Sequence, residues 1–177
     1  MIVAESERLI LRKLKVSDSA FILEIYNTDG FLRFIGDRNI RSLEDAQTFL
    51  VESPLKMYCE HGISLYRVEL KSNGEPVGLC GLINRDSSVD IDIGYAFLPA
   101  FCGKGYAIEA ARVTLDFARN TLKVNRVVAI TQTDNKTSIA LLLKLGMTRE
   151  GDYTDPASKE DVKIDRYGIT LSPDPPK

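Results

Sequence analysis

The sequence predicts a mixed α/β fold in which one sheet is flanked by helices. Alternating apolar and polar residues, typical of strands, occur in both halves of the chain. Segments with the apolar spacing of helices lie between them, and a strand–helix–strand order in the second half is typical of a βαβ unit. The 177 residues are predicted to form a single domain, residues 1–177, with a frayed tail at residues 172–177.

The first half of the chain is predicted to contain a strand, two helices and a hairpin. Residues 8–14, RLILRKL, alternate as a strand does, and residues 17–30 form a helix that Ser17 caps and Gly30 ends. The spacing from Ser42 to Asp45 is that of a capping box and opens the second helix. The alternating runs ISLYRVEL and EPVGLCGLIN flank Ser-Asn-Gly at residues 72–74, a typical hairpin turn.

The second half continues with a strand, SSVDIDIGYAFL, and a helix that runs to about residue 119. Period-two alternation places one set of strand residues on one face (Val89, Ile91, Ile93, Tyr95) and another on the opposite face (Asp90, Asp92, Gly94). The helix carries small residues near one face: Ala107, Ala110, Ala111, Thr114 and Ala118. The strand VNRVVAITQT, the helix NKTSIALLLKLGM ending at Gly146, and a closing hairpin that includes VKIDRYGITL complete the chain.

Composition and charge exclude several function classes. The net charge of −2 gives no basic field for a nucleic-acid partner. The single histidine, His61, argues against a zinc site or a Ser-His-Asp triad, and we expect it at the end of a surface turn. Three widely spaced cysteines are typical of reduced thiols, and no apolar run approaches a membrane span. We expect a cytoplasmic protein without a metal, a membrane contact or direct nucleic-acid binding.

Gly103 and Gly105 flank Lys104 where the helix after the GYAFL strand begins. The first turn of a helix has N–H groups without intrahelical partners and about half a positive charge, so small residues there let a pyrophosphate approach. The alternative is that both glycines only shape a loop. The stretch does not match a Walker phosphate-binding loop, because Gly105 follows Lys104 where Ser or Thr is needed. It matches a dinucleotide-binding motif only weakly, because Ile108 stands at the position of the third glycine.

Four stretches carry a resemblance to a known family. They are ERLILRKLKVSDSAFILEIYN, GFLRFIG with the following Ser42 helix, DIGYAFLPAFCGKGYAIEA and DNKTSIALLLKLGM. In order and spacing they resemble the GNAT acyl-CoA N-acyltransferases, particularly the RimJ/RimL branch of ribosomal-protein N-terminal acetyltransferases. The resemblance implies acetyl-CoA as co-substrate and a GNAT-like, mostly antiparallel, twisted sheet of about seven strands flanked by about four helices.

The resemblance also implies roles for matched positions. The backbone amides of the glycine turn would cradle the CoA pyrophosphate: Gly103, Lys104, Gly105, Tyr106 and Ala107. The strand edge at Phe97 and Leu98 would pair with pantetheine, and the Phe97 amide would polarise the thioester carbonyl. Asn135 would bond the pantetheine arm, Ser138 would lie near the sulfur, and Lys144 would reach the phosphates.

Four positions depart from the family pattern. Ala100 stands where an Arg or Gln is common, Cys102 replaces an aromatic residue or Arg, and Met147 replaces Phe. Leu142 stands where related acetyltransferases often carry a general-acid tyrosine. The general acid would then be Ser138 or a water, or the reaction would have none. The reaction tolerates the lack of an acid because a thiol pKa of about 8–9 makes the thiolate an adequate leaving group.

Simpler explanations remain open for several of these residues. Asn135 caps a helix equally well, Ser138 is an ordinary first-turn residue, and Lys144 is a solvated charge near a helix end. Asp92 is the candidate base, acting through water, because relatives often carry an acid at that position. The alternative is that Asp90 and Asp92 simply face solvent.

Three functions are compatible with these features. The first is acetyl transfer from acetyl-CoA to a protein N-terminal α-amine, by direct attack on the thioester. At pH 7 roughly a tenth of such an amine is neutral, whereas a lysine amine needs roughly 3–4 kcal/mol more for deprotonation. The second is acetylation of a small amine, such as a polyamine, amino acid or aminoglycoside. The third is a CoA-binding module without catalysis.

Overall fold

The computed structural model describes residues 1–85, 90–154 and 162–171, and eight strands in this part of the chain form one sheet. Their bounds are β1 Ile2–Glu5, β2 Leu9–Lys13, β3 Leu65–Leu70, β4 Pro76–Asn84, β5 Ile91–Phe97, β6 Arg126–Gln132, β7 Thr148–Tyr153 and β8 Ile164–Thr170. The spatial order is β1-β2-β3-β4-β5-β6-β8-β7, and every neighbouring pair except β5 and β6 is antiparallel. The mixed, mostly antiparallel sheet is therefore confirmed, with β1 as a short edge strand that the sequence pattern did not predict.

The described residues contain six α-helices, against about four expected from the sequence. They are α1 Ser19–Tyr26, α2 Asp29–Phe34, α3 Leu43–Leu50, α4 Lys56–His61, α5 Tyr106–Asn120 and α6 Lys136–Lys144.

The helix predicted at residues 17–30 is divided into two. Ser17 lies in a 3₁₀ turn before α1 and does not cap it. The Thr28 hydroxyl accepts from the Phe31 amide and caps α2, so Gly30 lies inside a helix instead of ending one. Thr supplies the side-chain acceptor that a new helix start needs.

Two local predictions are confirmed. The Ser42 hydroxyl accepts from the Asp45 amide at 3.0 Å at the start of α3. The Asp45 carboxylate reaches back to the Arg41 amide at 2.9 Å, one residue before the position that a capping box uses. Gly74 adopts a φ of 72° in the turn between the antiparallel strands β3 and β4, as a hairpin turn requires.

Helix α5 packs its face of small residues against the sheet. Ala110, Ala111, Thr114 and Ala118 are buried, as the sequence predicts, and α5 contacts β4 and β5 as well as the first two strands. Small side chains let the helix lie close to the strands without leaving voids. Ala107 remains half-buried near the beginning of α5.

Strands β5 and β6 pair only at their beginnings. Ile91 lies opposite Val127 and Asp92 opposite Val128, and these are the two parallel pairs between the described strands. This pairing confirms the predicted βαβ unit. Residues 93–97 of β5 and 129–132 of β6 continue beyond the pairs, so the strands diverge toward their carboxyl ends and leave an opening.

Some expectations concern residues that the structure does not describe. Val89 and the tail at residues 172–177 lie outside the described residues, and a single domain for the whole chain stays a prediction. Within the described ranges, each helix is too short or too polar to cross a bilayer.

Candidate active site

The end of β5 presents backbone groups to the opening between β5 and β6. The Leu98 N–H donates to the Val77 carbonyl oxygen at 2.9 Å and is therefore bound to the β4 side. Backbone groups of successive residues on such a strand point alternately to its two sides. Those of Phe97, opposite Gly78, therefore point away from β4 and toward the opening. Of the two residues for which the family resemblance implies pairing with pantetheine, Phe97 directs its backbone groups into the opening, whereas Leu98 directs its N–H to β4.

The turn before α5 is built around two left-handed glycines. Gly103 has a φ of 76°, and Gly105, the N-cap of α5, has a φ of 80°. A residue with a Cβ is strained in this conformation, which accounts for both glycines. The first amides of α5 have no intrahelical acceptor and lie at the positive end of the helix dipole, so the turn suits an anion.

A groove of about 490 Å³ runs from the end of β5 across this turn to α6. Its volume is typical of small-molecule sites. Six residues for which the family resemblance implies cofactor contacts line it: Phe97, Gly103, Gly105, Tyr106, Ala107 and Lys144. The remaining lining residues are Phe101, Cys102, Ile108, Lys136, Thr137, Ala140 and Leu141. The Lys104 ammonium instead lies over the Phe101 ring, 5.3 Å from its centroid.

Asn135, Ser138 and Tyr95 meet where the start of α6 approaches β5. The Asn135 Oδ1 accepts from the Ser138 amide at 3.1 Å, so its role as a helix cap is confirmed. The Ser138 hydroxyl lies 2.8 Å from the Tyr95 hydroxyl. Burial raises the pKa of Tyr95 to about 12, so the phenol keeps its proton at neutral pH. Sequence reasoning gave Tyr95 no role, because its alternation with Ile91 and Ile93 indicated only an apolar face.

Asp92 lies at the closed end of the opening. The residue is only 2% exposed, and its Oδ2 accepts from the Arg85 Nε at 2.6 Å. The solvent-facing alternative is therefore wrong for Asp92, and Asp90 is half-buried and paired with Arg166. Five residue steps along β5, about 16 Å, separate Asp92 from Phe97. Ser138 thus lies beside Tyr95, two residues before Phe97 and three after Asp92 on β5, and neither Asn135 nor Ser138 is among the residues that line the groove.

The four positions that depart from the family pattern differ in burial and in contacts. Leu142 and Met147 are buried in the core, so the position of the expected tyrosine is turned away from the groove. Ala100 is exposed, and the Cys102 thiol lies 3.6 Å from the Leu98 carbonyl oxygen. His61 lies at the exposed end of α4, 3.2 Å from the Asn84 Nδ2, as expected for a surface turn.

Comparison with known proteins agrees with this geometry. The family model described as "Acetyltransferase (GNAT) domain" matches residues 8–148. The uncharacterized N-acetyltransferase YoaA of Bacillus subtilis is 28% identical over 150 residues, which cover 84% of each chain. The spermidine N(1)-acetyltransferase of Escherichia coli K12 is 26% identical over 147 residues, which cover 80% of this chain and 74% of that protein.

Solved structures have the same fold. The GNAT-family acetyltransferase from Bacillus anthracis has a TM-score of 0.80 at 27% identity, covering 97% of this chain and 99% of that one. RimL, a ribosomal L7/L12 α-N-protein acetyltransferase in complex with coenzyme A, has a TM-score of 0.79 at 15% identity, covering 97% and 98%. At that identity the likeness to RimL shows the fold alone. With the family model spanning most of the chain, the protein belongs to the GNAT family and is an N-acetyltransferase.

Proposed function

We propose that the protein transfers the acetyl group of acetyl-CoA to the α-amine of a protein N-terminus. The observation that carries the proposal is the groove joining the glycine turn of α5 to the end of β5, where the Phe97 amide points into the opening. An anion site at one end and a directed N–H at the other suit the pyrophosphate and the thioester of acetyl-CoA. Lys136 and Lys144 add positive charge along the groove.

In this proposal, different residues bind different parts of acetyl-CoA. The turn amides hold the pyrophosphate, and the Phe97 backbone pairs with the pantetheine arm. Asn135 uses Oδ1 as a cap, and we assign its Nδ2 amide group to a pantetheine carbonyl. When bound, acetyl-CoA supplies the thioester that the acceptor amine attacks. The Phe97 N–H donates to the thioester oxygen, where negative charge develops.

Ser138 and Tyr95 serve the departing sulfur in this proposal. Because burial keeps Tyr95 protonated, its hydroxyl is able to donate to the Ser138 Oγ across their 2.8 Å contact. The Ser138 hydrogen is then directed away from Tyr95 and is available to the sulfur. Tyr95 therefore orients the Ser138 hydroxyl as a donor to the sulfur. This arrangement would replace the general-acid tyrosine that related acetyltransferases often carry where Leu142 stands here.

The choice of an α-amine rests on charge. Roughly a tenth of an α-amine is already neutral at pH 7, so a strong enzyme base is not needed. Three carboxylates that the structure describes at the carboxyl end of β6 and beside it on β7 and β8 are engaged with arginines: Asp134 with Arg33 at 3.4 Å, and Asp152 and Asp165 with Arg149 at 2.5 and 2.6 Å. A polyamine brings several cations that require carboxylates of their own. One α-amine suits this end of the sheet better.

The test compares three acceptors with acetyl-CoA: a peptide with a free N-terminus, the same peptide blocked at its N-terminus but carrying a lysine, and spermidine. We expect release of free CoA thiol with the first peptide alone, and mass spectrometry should place the acetyl group on its α-amine. The spermidine acetyltransferase among the relatives motivates the second candidate, a small amine. Acetylation of spermidine without that of either peptide would establish that candidate and overturn the N-terminal one.

A further inference from the structure

We propose that Arg8 is a positioning residue that sets the direction of the backbone amides in the phosphate-binding turn. The inference rests on the proposed function, because it concerns the same groove. Arg8 directly precedes β2 and lies 96 residues from Lys104 in the sequence. No motif of the sequence connects the two segments, so the contact is a product of the fold.

The Arg8 guanidinium joins the turn to the beginning of α5. Its Nη1 donates to the Lys104 carbonyl oxygen at 3.1 Å, and its Nε and Nη2 approach the Glu109 Oε2 at 2.7 and 2.6 Å. The guanidinium also lies over the Tyr106 ring, 4.6 Å from its centroid. The Glu109 Oε1 accepts from the Arg8 amide and from the Ser6 hydroxyl, at 2.9 and 2.7 Å. One side chain thus contacts the turn, the first residue of α5 and the carboxylate one turn further on.

The bond to Lys104 sets the orientation of one peptide group. The peptide between Lys104 and Gly105 is trans, so its C=O and N–H point in opposite directions. With the Lys104 carbonyl oxygen turned toward Arg8, the Gly105 N–H is turned away from Arg8. Gly105 and Tyr106 line the groove, and Arg8 contacts the turn from outside it. Arg8 therefore directs the Gly105 amide toward the groove.

The same arginine gives Gly105 a second constraint. A Cβ at Gly105 would come within 3.3 Å of the Arg8 Nη2, whereas a Cβ at Gly103 would meet open space. The sequence suggested that a side chain at position 105 would block the pyrophosphate directly. The structure adds a contact with Arg8 to this explanation and confirms a φ of 80°, in which any side chain would be strained.

Glu109 holds the guanidinium in place. Burial opposes ionisation of Glu109, but hydrogen bonds from Ser6 and from Arg8 outweigh it and keep the pKa of this carboxyl below its ordinary value. The charged carboxylate accepts two donors of the planar guanidinium while a third reaches Lys104. A lysine has the charge but not this fork of donors, so it is unable to set the same geometry.

The test uses Arg8→Lys and Arg8→Met, with Lys71→Met as a matched control. Lys71 pairs with Glu5 at 2.9 Å, and its side chain takes no part in the turn. KM and kcat are measured with acetyl-CoA and with S-acetylpantetheine, which lacks the pyrophosphate. We expect both Arg8 variants to raise the KM for acetyl-CoA about tenfold with little change in kcat. Their KM for S-acetylpantetheine should match that of the parent, and Lys71→Met should match the parent with both donors.

Two results would overturn the positioning role. An Arg8→Lys protein with the parental KM for acetyl-CoA would show that charge alone suffices. Equal increases of KM for the two donors would show a general loosening of the fold. Glu109→Gln is the second variant if the Arg8 proteins do not fold, and it should give the same donor-dependent pattern. Calorimetry of the parent with CoA is independent of every variant, and an absence of binding there would remove the proposed function itself.

Discussion

Asn135 carries a structural and a proposed chemical role on different atoms of one side chain. Its Oδ1 accepts from the Ser138 amide and caps α6, while its Nδ2 is the group assigned to a pantetheine carbonyl. Caps of this kind contribute about 1 kcal/mol, and Asp is as good a cap as Asn. A single substitution can therefore separate the two roles.

Asn135→Asp should leave the melting temperature nearly unchanged and raise the KM for acetyl-CoA about tenfold. The cap survives, but the donor is lost and a negative charge faces the pantetheine carbonyl. Thermal melting and steady-state kinetics measure the two effects. Asn135→Ala, the control, removes both roles and should lower the melting temperature as well. Identical kinetics for Asn135→Asp and the parent would show that Asn135 acts only as a helix cap.

The surroundings of Asp92 favour a structural role over that of a base. It is buried beside Arg85 and lies a strand length from the Phe97 amide. We expect Asp92→Asn to lower the melting temperature by several degrees, because it removes a buried charge partner of Arg85. The value of kcat should stay within about tenfold of the parent, with the same pH–rate profile. A loss near a hundredfold that recovers partly at high pH would instead identify Asp92 as a base acting through water.

At the scale of elements, the site exists because β5 and β6 separate after two residue pairs. The opening exposes the edge of β5, the glycine turn lies beside it, and α6 approaches from the other side. The hydrogen bond between Tyr95 and Ser138 is the direct polar link between β5 and α6. It couples the strand that directs the Phe97 amide to the helix that Asn135 caps.

Tyr95→Phe should lower kcat about tenfold while the KM for acetyl-CoA stays within about twofold. The ring still packs, but Ser138 loses the group that orients its hydrogen. A spectroscopic titration should also lose a phenol with a pKa near 12, the value to which burial raises Tyr95. Tyr66→Phe is the control, since Tyr66 packs against Tyr58 and Phe117 in the core. If the two variants have the same kcat, Tyr95 has no part in the reaction.

At the scale of the whole molecule, one buried carboxylate ties the first strands to the turn before α1. Asp18 is 4% exposed and accepts from Arg12 on β2 and Arg67 on β3, at 2.8 and 2.6 Å. Burial by itself would raise the pKa of Asp18, but hydrogen bonds from Arg12 and the Lys15 amide outweigh burial and lower it. Because the folded pKa is depressed, the stabilisation is present above the unfolded pKa of about 4 and is lost as the pH falls through the folded value.

Asp18→Asn should therefore destabilise the protein by about 2 kcal/mol at pH 7, since Arg12 and Arg67 lose one of the two carboxylates that they share and keep Glu69. The difference in free energy of unfolding between the parent and the variant should shrink below pH of about 4. Urea denaturation at pH 7, 5 and 3 measures it. Other carboxylates titrate in both proteins and largely cancel in the difference. A difference that is constant over this range would contradict an ionised Asp18 as its source.

The features that the sequence predicted correctly depend on residues close together in the chain. The Ser42 cap spans three residues, the turn at Gly74 joins adjacent strands, and the buried face of α5 follows helical spacing. The helix boundaries near Thr28 and Gly30 were wrong, because a polar cap competed with an apolar pattern that ran across both helices. Strand β1 was missed because four residues at a sheet edge carry too short a pattern.

The sequence by itself determined the strand and helix order of the second half, the glycine turn at the start of α5 and the family, since these are encoded in local spacing and in motif order. Only the tertiary structure decided which β5 amide points into the opening, that Asp92 is buried beside Arg85, and that Arg8 contacts the glycine turn. These properties depend on strand register and on contacts between residues far apart in the chain. Such contacts form only when the sheet assembles, so no local pattern records them.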